Sequence, residues 1–128
     1  MVGQSVLAIE QDWRLRKLLR ANLEALGLEV REAMNQQHGL ESLEKGRPDL
    51  ILLDMDLPND GGVKMLQALD GRFQGEPVPI VLLSAEPPAR TFLHELQVAG
   101  WLLKPFDVSV LVAQVRDLLD ASAAPGST

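Results

Sequence analysis

Residues 48–62 read Pro48-Asp-Leu-Ile-Leu-Leu-Asp54-Met-Asp-Leu-Pro58-Asn-Asp-Gly-Gly62, and the organisation of the whole chain follows from them. The apolar run from Leu50 to Leu53 lies between two prolines, which is typical of a strand buried on both faces of a parallel sheet. Asp54 follows this strand directly. Because ligands bind outside the carboxyl ends of the strands in open α/β sheets, Asp54 occupies a position suited to chemistry. An aspartate there can also form a turn or cap a helix, so this strand alone leaves its role open.

Length and composition limit the classes of protein to which the chain can belong. The 128 residues predict one domain over residues 1–121, followed by a flexible tail or the start of a linker over 122–128. With no cysteine, disulfides and thiolate metal sites are excluded. A net charge of −6 argues against a nucleic-acid surface. No signal peptide is visible and no apolar run approaches the roughly 20 residues that span a bilayer, so we expect a cytoplasmic domain without a membrane segment.

Short apolar runs alternate with helical patterns along the chain. The predicted strands are Val6–Ile9, Leu28–Ala33, Leu50–Leu53, Val78–Leu83 and Trp101–Leu103. The predicted helices begin at Trp13, Gln36, Gly62, Pro87 and Val108, and they end near Gly27, Lys45, Leu69, Gly100 and Leu119. This order predicts a doubly wound α/β fold, (βα)5, with a five-stranded parallel sheet. The second strand is less apolar on one face, so we expect it at an edge.

Apolar residues at helical spacing predict which side of each helix packs on the sheet. Asp12 is the expected N-cap of the first helix, and Gly27 is expected to end it. The apolar stripe of that helix comprises Leu15, Leu18, Leu19, Leu23 and Leu26, with Arg14, Arg16, Lys17 and Arg20 largely off it. In the later helices the expected inward residues are Leu40 and Leu43, then Val63, Leu66 and Leu69, then Phe92, Leu93 and Leu96, and finally Leu111, Val115 and Leu119.

Four of the five predicted strands end in polar residues. They are Glu10-Gln11, Asp54, Ser84 and Lys104. In a parallel sheet these ends lie along one edge, so residues distant in sequence should converge. An acid cluster, a hydroxyl and an ammonium around one aspartate are the groups that phosphoryl transfer to a carboxylate requires, with Asp54 as the nucleophile.

These motifs resemble those of response-regulator receiver domains, over essentially residues 5 to 120. The phosphoacceptor segment is represented by Pro48 to Gly62, and two later motifs by Pro79-Ile-Val-Leu-Leu-Ser84-Ala85 and Lys104-Pro105-Phe106. The resemblance implies a flavodoxin-like fold with strand order 2-1-3-4-5. It implies a switch rather than an enzyme acting on a separate substrate, in which Asp54 accepts phosphoryl from a histidine kinase or a phosphotransfer protein. Ser84 and Lys104 would contact the phosphoryl group, and the Lys104–Pro105 bond would be cis.

The resemblance also implies a magnesium site, and here the chain departs from the family. Two acidic residues normally follow the first strand, and they align with Glu10 and Gln11. The candidate ligands are Glu10, Gln11, Asp54 and Asp56. Because glutamine removes one negative charge and hard divalent cations depend on ligand charge, we expect weak Mg²⁺ binding and slow phosphorylation.

The signalling parts implied by the resemblance are a switch pair and a partner face. Ser84 would move with the aromatic residue Trp101, where the family usually has tyrosine or phenylalanine. Residues 87–121 would form the face for a downstream protein or a fused output domain, and a homodimer is compatible with the resemblance. The segment from Ser84 to Lys104 is about two residues shorter than usual by our alignment, so the helix between them is expected to be short or displaced.

Other interpretations of the same residues stay open. Gln11 and Trp101 favour a pseudo-receiver that binds partners without phosphorylation, whereas Asp54, Ser84 and Lys104 oppose it. A haloacid-dehalogenase-type phosphatase also uses a nucleophilic Asp and later Ser and Lys residues, but its nucleophile lies on an early strand. Asp56 and Glu86 occupy positions that tune the lifetime of the acyl phosphate in the family. His38 and His94 share no spacing with a second ligand and are interpreted as surface or structural residues.

Overall fold

The computed structural model describes residues 3–73, 75–90 and 98–123. Its strands are β1 Ser5–Ile9, β2 Glu29–Ala33, β3 Leu50–Asp54, β4 Ile80–Ser84 and β5 Val98–Leu103. The helices within these ranges are α1 Trp13–Glu24, α2 Gln36–Glu44, α3 Gly61–Leu69 and α4 Val108–Ala123, with a short 3₁₀ turn at Pro58–Asp60. All strand pairs are parallel and the order is β2-β1-β3-β4-β5, which confirms the predicted fold and the edge position of β2.

Helices cover both faces of the sheet. Alternate strand residues pack towards α2 and α3 on one face, where Leu7, Ile9 and Met65 are fully buried. The other face packs towards α1 and α4, around Val6 and Ala8 of the same strand. The central strands are therefore apolar on both sides, as the unbroken runs in the sequence indicate. Within the described residues, no helix is both long and apolar enough to cross a bilayer.

Helix α1 begins and packs as predicted, but its apolar stripe is narrower. The Asp12 side chain accepts a hydrogen bond from the Arg14 backbone N–H at 2.9 Å, which confirms the N-cap. Leu19 and Leu23 are fully buried, whereas Leu18 and Leu26 are exposed, so their assignment to the buried face was wrong. The helix ends at Glu24, which places Leu26 in the following turn. Leu18 lies about 100° around the helix from Leu19, towards solvent.

One inward assignment in α3 is met only in part. Leu66 and Leu69 are buried as predicted, together with Met65, whereas Val63 is only partly buried. The helix predicted between β4 and β5, with Phe92, Leu93 and Leu96, lies outside the described residues, as does His94. In α4, Leu111, Val115 and Leu119 are buried as predicted.

Strand β5 begins three residues earlier than predicted. Residues 98–100 were assigned to the preceding helix, but Val98 pairs with Ile80 and Gly100 pairs with Val81 of β4. Gly100 had been taken as a helix terminator. In the structure Gly100 lies within the strand, and a Cβ at this position would meet only the terminal amide of the flexible Gln114 side chain in α4.

Candidate functional site

Polar residues from four strands meet at the carboxyl edge of the sheet. The Lys104 ammonium nitrogen lies 2.9 Å from Asp54 Oδ1 and 2.9 Å from Glu10 Oε1. Ser84, the last residue of β4, is buried at the same edge, and its carbonyl accepts the Lys104 backbone N–H at 2.7 Å. The Lys104–Pro105 peptide bond is cis, as predicted. The structure therefore brings together the acid, the acceptor and the ammonium that the sequence placed at separate strand ends.

Asp54 is 1% exposed and its two carboxylate oxygens are held unequally. Oδ1 accepts from Lys104 and from the Asp56 backbone N–H at 2.8 Å. Among the backbone donors of the described residues, Oδ2 accepts only the Gln11 N–H, in a long bond of 3.3 Å. The second oxygen is thus the less constrained of the two.

The start of α3 supports the loop that follows Asp54. A Cβ on Gly62 would lie 2.6 Å from Met55 Cα and 2.8 Å from the Asp54 carbonyl oxygen. Both are backbone atoms that cannot rotate away, so only glycine allows this approach. Asn59 and Asp60 in the same loop have positive φ angles of 58° and 57°. The loop that presents Asp54 is therefore shaped by close backbone packing.

Glu10 is a buried carboxylate with too few hydrogen-bond donors. It is 1% exposed, and its Oε2 accepts the Asp12 backbone N–H at 3.0 Å. Its Oε1 makes a close ionic contact with Lys104, but no hydrogen bond of good geometry reaches it. A buried oxygen in this state is costly unless a cation or a proton compensates it.

The pKa values of Glu10, Asp54 and Lys104 depend on one another, because two buried carboxylates share a single ammonium. Burial raises the pKa of Glu10 to about 7, and its hydrogen bond with Asp54 acts in the same direction. Burial also acts to raise the pKa of Asp54, but the hydrogen bonds with Glu10 and Lys104 outweigh it and hold that pKa below its usual value. Burial acts to lower the pKa of Lys104, but the two carboxylates raise it overall. Near neutral pH, Asp54 is therefore an ionised carboxylate beside an ammonium, and Glu10 can hold a proton.

Asp56 links the acceptor loop to the segment after β4. Its Oδ2 accepts the Ala85 backbone N–H at 2.8 Å and lies 3.8 Å from the Lys104 nitrogen. The Ser84 hydroxyl oxygen accepts the Glu86 backbone N–H at 3.3 Å. The backbone N–H of Ala85 therefore has the Asp56 carboxylate as its hydrogen-bond acceptor.

Two predicted site residues are placed differently from the rest. The Gln11 side chain is exposed, and the residue joins the site through its backbone N–H. Trp101 is partly buried and packs against the core on the α2–α3 face, paired in register with Leu82. Of the predicted switch pair, Ser84 therefore lies at the site, whereas Trp101 lies in the neighbouring core.

The donor atoms suit a hard divalent cation in charge, although they do not form a closed cage. Glu10, Asp54 and Asp56 supply oxygen donors against a single ammonium, and Glu10 Oε1 lacks a hydrogen bond. Across the described residues, no group of three or more His, Cys, Asp or Glu side chains is arranged to hold a metal ion. Glu10 and Asp54 are thus two buried carboxylates whose charge suits Mg²⁺, no third acidic side chain is placed to complete a site with them in the described residues, and the side chain of Gln11 is exposed.

One residue of the site was missed by the sequence analysis. Arg16 was assigned only to the polar side of α1, but its Nη1 donates to the Glu10 carbonyl oxygen at 2.7 Å. A long cationic side chain one turn after the N-cap was the available signal, since it can reach back over the preceding loop.

Comparisons with known proteins match most of the chain. The family model described as "Response regulator receiver domain" matches residues 6–116. The KDP operon transcriptional regulatory protein KdpE of Escherichia coli is 34% identical over 126 residues, covering 94% of this chain and 55% of that protein. The phosphate regulon transcriptional regulatory protein PhoB of Pseudomonas aeruginosa is 31% identical over 121 residues, covering 93% and 53%.

The chain thus spans about half the length of the curated relatives that it matches. Among solved structures, the CheY-like response regulator receiver domain protein of Methanospirillum hungatei superposes with a TM-score of 0.83 at 20% identity. That match covers 94% of this chain and 96% of the other, and it supports the fold.

Proposed function

The chain belongs to the response regulator receiver domains of two-component systems, and from this premise we propose that it is a phosphorylatable switch. Asp54 is the acceptor, and the phosphoryl donor is a histidine kinase or a histidine phosphotransfer protein. The observation that carries the proposal is the Lys104 ammonium 2.9 Å from a buried, ionised Asp54. Such kinases act from the cytoplasmic side, so the proposal also places the domain in the cytoplasm.

Each residue has a part in the transfer. An oxygen of Asp54 attacks phosphorus, the P–N bond to the donor histidine breaks, and an O–P bond forms. Lys104 lies where negative charge develops on the phosphoryl oxygens, and the Ser84 hydroxyl is available as a donor. The protein would catalyse at most its own phosphorylation and dephosphorylation.

Magnesium is the cofactor that this chemistry requires. Glu10 and Asp54 would hold it, with Asp56 at the rim, and when bound it would neutralise charge on the phosphoryl oxygens. Because Gln11 supplies no charge and its side chain is exposed, we propose weak binding.

Residues 87–121 are proposed to form the surface that contacts the downstream partner. In the described part of this segment, Leu103 and Val110 are large apolar residues at 41% and 52% exposure. A downstream protein, a fused output domain or a second copy of the chain would cover them. The relatives are transcriptional regulators about twice as long as the matched region, which favours a fused domain in those proteins.

A pseudo-receiver is the second candidate, and one observation favours it. In the described ranges, no group of three or more His, Cys, Asp or Glu side chains is arranged to hold a metal ion. Such a domain would bind its partner in one conformation and ignore phosphoryl donors.

Titration with Mg²⁺ and then with beryllofluoride, a mimic of aspartyl phosphate, separates the two. The fluorescence of Trp101 and Trp13 reports the change, and Asp54→Asn is the control. A saturable, Mg²⁺-dependent change that is lost in Asp54→Asn supports the phospho-switch. No response in the wild type, with a response in Gln11→Asp, identifies a receiver with a disabled metal site. If neither the wild type nor Gln11→Asp responds, by fluorescence or by NMR shifts, the result supports the pseudo-receiver.

A further inference from the structure

The loop between β1 and α1 consists of three residues, and the Arg16 guanidinium contacts the carbonyl oxygens of the first two. Its Nη1 lies 2.7 Å from Glu10 O and 3.5 Å from Gln11 O, the second a weak contact. The carbonyl oxygen of the third residue, Asp12, accepts the Arg16 backbone N–H at 2.9 Å in the first turn of α1, a bond that any residue at this position would make. One side chain therefore holds two of the three loop carbonyl groups on the same side.

Because the peptide bond is planar, the direction of each loop carbonyl group also sets the direction of the N–H group that follows it. In a trans peptide, the C=O of one residue and the N–H of the next point in opposite directions. When Arg16 binds Glu10 O, the Gln11 N–H must point the other way, where it reaches Asp54 Oδ2 at 3.3 Å. By the same rule, the contact with Gln11 O accompanies an Asp12 N–H that reaches Glu10 Oε2 at 3.0 Å.

Arg16 is itself held in place by the edge strand. Its Nε donates to Glu32 Oε1 at 3.0 Å, and Arg20 Nη1 donates to Glu32 Oε2 at 2.8 Å. The side chains of Arg16 and Glu32 are 16% and 22% exposed, so this pair is largely shielded from solvent. Glu32 lies beside Ala8 in the sheet, two residues before Glu10. The guanidinium thus spans from the edge strand to the loop that carries the acid of the site.

We propose that Arg16 is a positioning residue of the phosphorylation site. It orients the two peptide planes of the Glu10–Asp12 loop so that their N–H groups face the carboxylates of Asp54 and Glu10. This holds the carboxylates in place for a cation while leaving Glu10 Oε1 without a donor. The consequence for magnesium rests on the proposed function, whereas the orientation of the peptide planes does not.

Arg20 provides the matched control, since it pairs with the same Glu32 from the next turn of α1 and makes no contact with the loop among the described interactions. The variants are Arg16→Met, which keeps the apolar stem, Arg16→Lys, and Arg20→Met. We would measure amide hydrogen exchange of Gln11 and Asp12 in the metal-free protein by NMR, and the Mg²⁺ dissociation constant by amide shifts. Residues that orient metal ligands typically change metal affinity by 10–100-fold.

In Arg16→Met we expect the two amides to exchange about tenfold faster and Mg²⁺ to bind about tenfold more weakly. Arg20→Met should stay within about twofold of the wild type on both readouts, because it removes only the solvent-exposed pairs with Glu24 and Glu32. Arg16→Lys should restore part of the effect, since one ammonium can reach the loop or Glu32 but lacks the fork that reaches both. Equal behaviour of Arg16→Met and Arg20→Met would overturn the proposal.

Failure of the proposed function would look different. If the wild type does not bind Mg²⁺ at all, the phospho-switch is wrong, and the exchange of the Gln11 and Asp12 amides still decides the role of Arg16. If Arg16→Met does not fold, Arg16→Lys and Glu32→Gln are compared with Arg20→Met instead. Both should then speed the exchange of those two amides more than Arg20→Met does, and the opposite order would refute the role.

Discussion

Replacement of Glu10 by glutamine tests how much the ionised Glu10 carboxylate destabilises the folded protein. The variant keeps the size and shape of a protonated glutamate but cannot ionise. The folded protein raises the pKa of Glu10 from 4.5 to about 7, chiefly through burial. The folded state therefore binds this proton more tightly than the unfolded chain. The stability that this provides is complete below about pH 4.5 and is lost as the pH rises through about 7.

The size of the effect follows from that shift. Each pKa unit corresponds to about 1.4 kcal/mol, so the ionised form of Glu10 costs at most about 3 kcal/mol at pH 8. The proton is shared with Asp54, whose pKa moves in the opposite direction, so we expect a net gain of about 1–2 kcal/mol for Glu10→Gln. In a domain of this size, that is an increase in Tm of roughly 3–8 °C.

The assay is thermal and urea unfolding of the metal-free protein at pH 5 and pH 8. Glu10→Gln should be more stable than the wild type at pH 8 and nearly equal to it at pH 5. Glu29→Gln, at an exposed position of the edge strand, is the control and should show no such dependence on pH. An equal gain at both pH values, or a loss at pH 8, would refute the argument that the ionised glutamate strains the fold.

Further substitutions test the other parts of the site. Gln11→Asp adds the missing charge and should tighten Mg²⁺ binding about tenfold by calorimetry, and an unchanged affinity would show that position 11 cannot reach the cation. Asp56→Asn removes a negative charge 3.8 Å from the Lys104 nitrogen, which would repel an anionic phosphoryl donor, and it should speed phosphorylation by acetyl phosphate several-fold; a slower rate would show that Asp56 contributes more by binding the cation than it costs by repelling the donor. Gly62→Ala would place a Cβ 2.6 Å from a backbone carbon and should destabilise the domain by about 2 kcal/mol or more in urea unfolding. Gly61→Ala, whose Cβ would meet only a leucine side chain at 3.0 Å, should be much milder, and equal losses would show that the contact is not decisive.

The sequence predicted the sheet because its strands are short apolar runs that match no other element. Strand order came from the resemblance, whereas a parallel sheet alone was enough to place the polar residues that end the strands on one edge. Leu18 and the start of β5 were wrong for one reason. Local spacing does not report how far the buried face extends around a helix, nor which residues pair with a neighbouring strand.

The details of the site were harder to predict than its composition. Gln11 was treated as a side-chain ligand, but in a loop no periodicity sets the direction of a side chain, and its backbone N–H faces the site instead. The importance of Arg16 depends on peptide orientation, which the amino-acid letters do not encode. Whether Asp54 and Lys104 work as the resemblance implies stays a prediction for the titration described above.

The parallel order of the strands has a consequence for when the protein becomes able to signal during folding. Glu10, Asp54, Ser84 and Lys104 come from four strands spread over most of the chain, and Lys104 follows the last of them. No fragment shorter than residues 10–104 contains all four residues, and a nascent chain that lacks β5 has no Lys104 ammonium beside Asp54. If the proposed phospho-switch is right, the chain can therefore assemble its complete phosphorylation site only when the last strand has joined the sheet.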